Sequence, residues 1–273
     1  MNETSKTRRQ WGSLEHSVLV GSGIDIGCGP DPVTPAVRRF DRMHGDANRI
    51  TQFVHEQFDF VYSSHCLEHM ADPRAALQEW WKLVKPGGHL FFIVPDEDLY
   101  EQGVFPSRFN PEHRATFTIF KRDSWSPVSI NVRDLVGDLP DSELVSLRLQ
   151  DNGYDRRLMR HGPDAATGEF RRLILRTYAF ARRRSLPRLG WLERWQTQTT
   201  AIDQTLGSEA LAQIQCIVRR SGLCHGPAVQ DRHTDHDGIR NEPEFAAASL
   251  AKQREHISAP HAPTSSTHSG PND

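Results

Sequence analysis

The sequence predicts an α/β protein: a mostly parallel sheet with helices on both faces, an inserted cap and a disordered C-terminal tail. Three observations lead there. From Gly21 to Pro95 the pattern runs strand, turn, strand, helix, strand, the alternation that builds parallel sheets. Phe58–Ser63 and His89–Val94 are mostly apolar without clean alternation, as strands covered on both faces require, so they belong at the centre of the sheet. Residues 225–273 hold seven Ala but only Val229, Ile239, Phe245, Leu250 and Ile257 as bulky apolar residues, too little surface to offset the entropy of ordering.

Residues 1–20 read as a polar N-terminal extension, and 21–224 as the folded domain. The first strand runs into a glycine turn, Gly27-Cys-Gly29, and Val37–Phe40 marks a second short strand. After the Phe58 strand, Asp72 is a good N-cap and Pro73 suits the first helical position. Leu77, Trp80, Trp81 and Val84 then recur at i, i+3, i+4 and i+7, predicting a helix over about 73–84. Lys85-Pro-Gly-Gly88 stops that helix and turns the chain into the His89 strand. Residues 96–131, rich in aromatic and turn residues, form a lid segment. Leu144–Gln150 and Ala212–Val218 alternate like strands and are expected to pair at a sheet edge. Between them lies an insertion over 152–205, where residues 156–194 carry eleven Arg against Asp164, Glu169 and Glu193. The tail, 225–273, contains six histidines scattered without ligand spacing, which makes it solvated chain.

Composition excludes several classes. The longest strongly apolar run, Leu90–Val94, falls far short of the roughly 20 residues that cross a bilayer. Met1–Gln10 is polar and leads to no apolar stretch, so no secretory signal is expected and a cytoplasmic location follows. Cys28, Cys66, Cys216 and Cys224 form no C-x-x-C pair, which excludes a zinc ribbon and predicts free thiols. A net charge of -2 gives no global attraction to nucleic acid or membrane.

The chemistry concentrates in Gly23-Ile-Asp-Ile-Gly-Cys-Gly-Pro-Asp31. The strand delivers Asp25 to a turn where missing side chains let a ligand approach the backbone, at the carboxyl edge where open α/β sheets bind ligands. A Gly-x-Gly alone is also an ordinary structural turn. Asp41, after the second strand, is placed to accept from two ribose hydroxyls, or is simply a solvated loop residue. Gly45-Asp46-Ala47 puts a carboxylate beside a small residue, suited to an exocyclic amine and an adenine face.

Taken together, Asp25-Ile-Gly-Cys-Gly, Gly-Asp-Ala, Phe58–His69, Asp72-Pro73 and Leu83-Val-Lys-Pro-Gly-Gly-His-Leu90 resemble the class I S-adenosylmethionine-dependent methyltransferases. The resemblance covers roughly 21–151 and implies a Rossmann-like fold with S-adenosylmethionine as cofactor. It implies that Gly27 and Gly29, with Asp25 and Cys28, face the amino-acid part of the cofactor, that Asp41 holds the ribose, and that Asp46 and Ala47 contact adenine. Ser63, Ser64 and His69 fall in the segment that lines the cofactor and the methyl-transfer side. Two departures matter: about a dozen residues separate Gly29 from Asp41, too few for a crossover helix and a full strand, and Asp41 and Asp46 lie close, so the helix between their strands must be missing or reduced. A dinucleotide dehydrogenase is disfavoured because Pro30-Asp31-Pro32 follows the turn where a helix would have to open.

His65 and His113 are the candidate general bases, histidine being suited to proton transfer near neutral pH. His65, Glu68 and His69 lack the H-E-x-x-H order, and no third ligand is evident, so no metal is expected. Asp96, Tyr100, Arg108 and His113 could contact substrate. The reading is methyl transfer to a small-molecule or glycan-like acceptor. O-methylation is preferred because Ser63-Ser-His-Cys66 stands where an N-P-P-[FY]-like motif would mark amine methylation. The alternatives are a non-catalytic S-adenosylmethionine-binding protein and a nucleic-acid methyltransferase using the Arg-rich insertion to hold phosphates.

Overall fold

The computed structural model describes residues 3–163 and 201–222. The tail, Cys224 and most of the Arg-rich insertion (164–200) lie outside the described residues.

Strand-forming segments Gly23–Ile26 (β1), Arg38–Phe40 (β2), Phe58–Ser64 (β3), Val84–Pro95 (β4), Ser142–Gln150 (β7) and Gln213–Arg220 (β8) make one sheet in the order β2-β1-β3-β4-β8-β7. The first four run parallel; β8 is antiparallel to β4 and to β7. The two apolar runs therefore sit centrally, and the two alternating segments pair at the edge, both as the sequence predicts. Thr116–Thr118 (β5) and Ser129–Asn131 (β6) form a separate two-stranded parallel pair within the lid segment, linked to the end of β4 by a bridge between Asp96 and Phe117.

Strand side chains divide by face. On one, Ile24, Ile26, Val61, Phe92, Val94 and Cys216 pack with helices Pro73–Lys82 (α3) and Val132–Gly137 (α4). α3 starts where expected: Asp72 Oδ1 accepts from Arg74 N at 3.0 Å and Ala75 N at 3.1 Å. Trp80 and Trp81 are buried, and their indole N–H groups donate to the carbonyls of Ala47 and Pro140, both at 2.9 Å, so their burial leaves no donor unpaired. The helix ends two residues early because Val84 pairs with Phe58 as the first residue of β4. Residues 85–88 are then taken up by a register shift, since Phe60 pairs with His89. Among the described residues the opposite face is thinner. Tyr62, Phe91, Ile93 and Ile217 meet Val18, Val33 and Val37, with Trp11 packed against them.

One expectation changes and another holds. Residues 1–20 are not a mere extension: Glu3–Arg8 (α1) and Ser13–Val18 (α2) are helices tied to the domain, with Thr7 fully buried and its hydroxyl accepting from Gln213 Nε2 at 3.0 Å. The compressed crossovers are real, with no helix between β1 and β2 and a 3-10 segment, Ala47–Gln52, between β2 and β3.

Candidate active site

The glycine turn leaves β1 with Gly27 at φ +77° and Gly29 at φ +51°, the left-handed region that disfavours side chains. A Cβ on Gly27 would lie 2.6 Å from Cys66 Sγ, whereas one on Gly29 would meet nothing within 4 Å. The first glycine thus lets two backbones approach, and the second leaves open space beside the turn for a ligand. The turn is pinned to the end of β2: Gly27 N donates to the Phe40 carbonyl at 2.8 Å, and Gly29 N to Asp41 Oδ2 at 2.9 Å.

Two cavities adjoin across this turn. One, of about 310 Å³, includes Gly27, Cys28, Gly29, Ser64, Glu68 and His113 in its wall. The other, of about 680 Å³, includes Phe40, Asp41, Asp46, Ala47, Cys66 and Met70. Gly27, His65 and His69 line both. An elongated ligand lying across Gly27 would put one end against Asp41 and Asp46 and the other beside the histidines. Asp46 Oδ1 accepts from Asn48 N and Nδ2, which hold its carboxyl below the ordinary range, so it meets a ligand as an anion.

The histidines gather around one carboxylate. His65 stands at the end of β3 with φ +52°, its N–H donating to the Ile93 carbonyl at 3.0 Å. Such a conformation in a non-glycine residue costs on the order of 1–3 kcal/mol and persists where the surroundings enforce it. Fully buried Glu68 follows, with Oε1 3.6 Å from His65 Nδ1, 3.9 Å from His69 Nε2 and 4.0 Å from His113 Nε2. Burial alone would raise the Glu68 carboxyl and depress the His65 imidazole. Their proximity outweighs burial and moves each the other way, so both favour the charged form. Residues 110–113 reach the site because Arg114 N donates to the Glu68 carbonyl at 2.7 Å and His113 stacks on Tyr100 with centroids 5.4 Å apart.

Most of the residues singled out by the sequence come together here: Gly27, Cys28, Gly29, Ser64, His65, His69 and His113 on one side, Asp41, Asp46 and Ala47 on the other. Asp25 and Ser63 line neither cavity. Asp25 lies beneath the turn, its Oδ2 accepting from Val33 N at 2.7 Å, and burial pushes its carboxyl up to about 7. Ser63 donates its hydroxyl to the Ile26 carbonyl at 2.9 Å, clamping β1 to β3. Both support the site without lining it. Asp96 caps the wide helical turn Glu97–Glu101, accepting from Asp98 N and Leu99 N, and Arg108 donates to the carbonyls of Gln102 and Gly162. Neither lines the cavities. Burial pushes the Cys66 thiol up to about 12, which removes it as a nucleophile. Arg156 and Arg157 pair with Asp151 and Asp155, each at 2.7 Å.

Sequence reasoning missed Glu3, Thr4 and Lys6 of α1, which line the smaller cavity, and Gln213 of β8, whose Oε1 lies 2.9 Å from His65 Nε2. No local motif marks them. The one available signal was that Gln213 and Gln215 interrupt an otherwise apolar strand.

A mostly parallel sheet with a glycine turn after its first strand and acids after its second is the arrangement of Rossmann-like S-adenosylmethionine-dependent methyltransferases. Residues 7–126 match the family described as "Methyltransferase domain". Among curated relatives, the ubiquinone biosynthesis O-methyltransferase of Pseudomonas putida (strain W619) is 28% identical over 132 residues, 42% of this chain and 57% of that protein. The protein of the same name from Cronobacter sakazakii is 36% identical over 80 residues, 26% of this chain and 31% of its own. The chain thus spans little more than half the length of the first curated relatives it matches. Among solved structures, a putative sarcosine dimethylglycine methyltransferase from Galdieria sulphuraria matches at TM-score 0.43 and 12% identity, over 81% of this chain and 84% of its own. A putative methyltransferase from Bacillus halodurans matches at TM-score 0.39 and 14% identity, over 76% and 97%. Among the described residues no helix is long and apolar enough to cross a membrane.

Proposed function

We propose that the protein transfers a methyl group from S-adenosylmethionine to a hydroxyl oxygen of a small-molecule acceptor. The observation that carries this reading is the pair of cavities joined at Gly27, His65 and His69. The larger offers two carboxylates for a nucleoside, and the smaller a buried polar wall for the acceptor. The open space beside Gly29 fits the amino-acid part of the cofactor.

Bound S-adenosylmethionine supplies an electrophilic methyl on its sulfonium. Asp41, held by the N–H groups of Gly29 and Arg42, keeps acceptor capacity for the ribose hydroxyls. Methyl transfer to an acceptor oxygen would leave S-adenosylhomocysteine, and Gly27, His65 and His69, which line both cavities, would border that transfer. His65 accepts the hydroxyl proton, since the neighbouring Glu68 carboxylate favours the imidazolium. Holding the reactants in line supplies much of the rate. The partial match to proteins named ubiquinone biosynthesis O-methyltransferase favours oxygen over nitrogen.

The test is S-adenosylhomocysteine formation against a panel of small phenols, hydroxy acids and sugars. A methylated product appearing in step with S-adenosylhomocysteine supports the reading. A protein that binds S-adenosylhomocysteine yet turns over with no hydroxyl acceptor would overturn it in favour of a binding role.

A further inference from the structure

The sequence offers no third partner for His65, Glu68 and His69, but the fold brings His113 across from the lid. Neither Glu68 oxygen makes a hydrogen bond, and its three imidazole neighbours stand too far away for one. On each ring the opposite nitrogen is engaged with an oxygen that only accepts. His65 Nε2 meets Gln213 Oε1 at 2.9 Å, His69 Nδ1 the Glu112 carbonyl at 3.2 Å, and His113 Nδ1 Glu101 Oε1 at 2.7 Å. The orientation of Gln213 is set independently, because its Nε2 donates to Thr7 Oγ1 and Gln150 Oε1. On His69 and His113 this leaves Nε2, the nitrogen that faces Glu68, as the free ring atom available to a metal ion. A buried carboxylate with no hydrogen bond, faced by two such nitrogens, is a donor set that a metal ion would satisfy.

We propose that Glu68, His69 and His113 bind a divalent metal ion of the zinc type, with an open coordination position toward the smaller cavity. One ligand atom from each lies within 4.8 Å of the others. Metal bonds of about 2.0–2.2 Å put tetrahedral ligand atoms roughly 3.3 Å apart, so the two Glu68 separations of 3.9 and 4.0 Å must close by about 0.6–0.7 Å and the widest pair by up to about 1.5 Å around the ion. Two imidazoles, one carboxylate and an open position are a donor set suited to catalytic zinc, and the nitrogens argue against magnesium or calcium. Glu101 and the Glu112 carbonyl supply the outer oxygens that orient ligating histidines. All three ligands line the smaller cavity. The site stands on this geometry alone; its role, lowering the pKa of an acceptor hydroxyl, rests on the proposed methyl transfer.

The test titrates Co²⁺ into the full, metal-stripped chain, following visible absorption, with Zn²⁺ as competitor. Wild type is expected to bind one equivalent with the absorption of a low-coordinate nitrogen and oxygen site. Partly exposed His69 gives the variant least disturbing to the fold, and His69→Asn and Glu68→Gln should each weaken binding by on the order of a hundredfold. Glu101→Gln, acting through His113, should weaken it by roughly 10- to 100-fold. The tail histidines are a background that none of these variants changes. A folded wild type without the absorption, or variants that bind Co²⁺ like wild type, would overturn the site. S-adenosylhomocysteine affinity is measured in parallel: Co²⁺ binding without it sinks the methyltransferase reading and leaves the metal site standing, and the reverse holds.

Discussion

The two adjoining cavities are assembled by different means. The larger is built by two neighbouring stretches of chain, residues 40–48 and 65–70, together with Gly27. The smaller draws on α1, the glycine turn, the end of β3, the lid and the start of β8, so its wall runs from Glu3 to Gln213. A ligand-binding turn can be encoded locally, because a few glycines and acids suffice. A cluster of converging side chains depends on strand order and is encoded by the whole sheet.

The strongest way to break this comparison is at the shared boundary. Gly27→Ala puts a Cβ 2.6 Å from Cys66 Sγ in a left-handed conformation. The combined strain and overpacking should cost about 3–5 kcal/mol in a denaturant melt and abolish S-adenosylhomocysteine binding. Gly29→Ala, facing open space, should cost about 1–2 kcal/mol from backbone strain alone while still blocking the ligand. Equal destabilisation by the two would contradict their division of labour.

Next in size is the support beneath the turn. The Asp25 carboxyl holds its proton up to about 7 when folded and releases it near 4 when unfolded, so the folded state binds the extra proton between those values. Its contribution is fully present below pH 4 and is lost as pH rises through about 7, on the order of 4 kcal/mol. Asp25→Asn keeps an acceptor for Val33 N and should remove that slope. Urea midpoints of wild type and variant that run parallel from pH 4.5 to 8 would refute it.

On the nucleoside side, Asp41→Asn removes a charged acceptor and should weaken S-adenosylhomocysteine by roughly 10- to 100-fold, with the melt changed by less than about 1 kcal/mol. Asp46→Asn should weaken it only severalfold, because this exposed carboxylate is screened by solvent. An Asp46 effect larger than that of Asp41 would contradict this ranking of the two carboxylates.

What was legible in the sequence follows the same division. The central strands, the start of α3 and the β7–β8 pairing were readable because periodicity, capping and apolar runs are local signals. Gly27, Gly29, Asp41 and Asp46, which line the two cavities, likewise stand in short local motifs. Asp25 and Ser63 were read as cofactor contacts because they stand in the right motif, but Asp25 accepts from Val33 N in the loop after the glycine turn and Ser63 donates to the Ile26 carbonyl of β1, so neither lines a cavity. His113 was singled out without its partner Glu68, and α1 was read as an extension. Neither contact exists until β4 delivers the lid and β8 delivers Gln213 back to the same edge.

The central claim is that one cofactor spans both cavities across Gly27. Calorimetric titration of S-adenosylhomocysteine into the full chain, with Gly29→Ala and Asp41→Asn beside it, tests this most directly. The account predicts one equivalent bound by wild type and at least about tenfold weaker binding in each variant, since each removes one end of the same ligand's site. A folded wild type that binds none, or variants that bind as tightly as wild type, would contradict it.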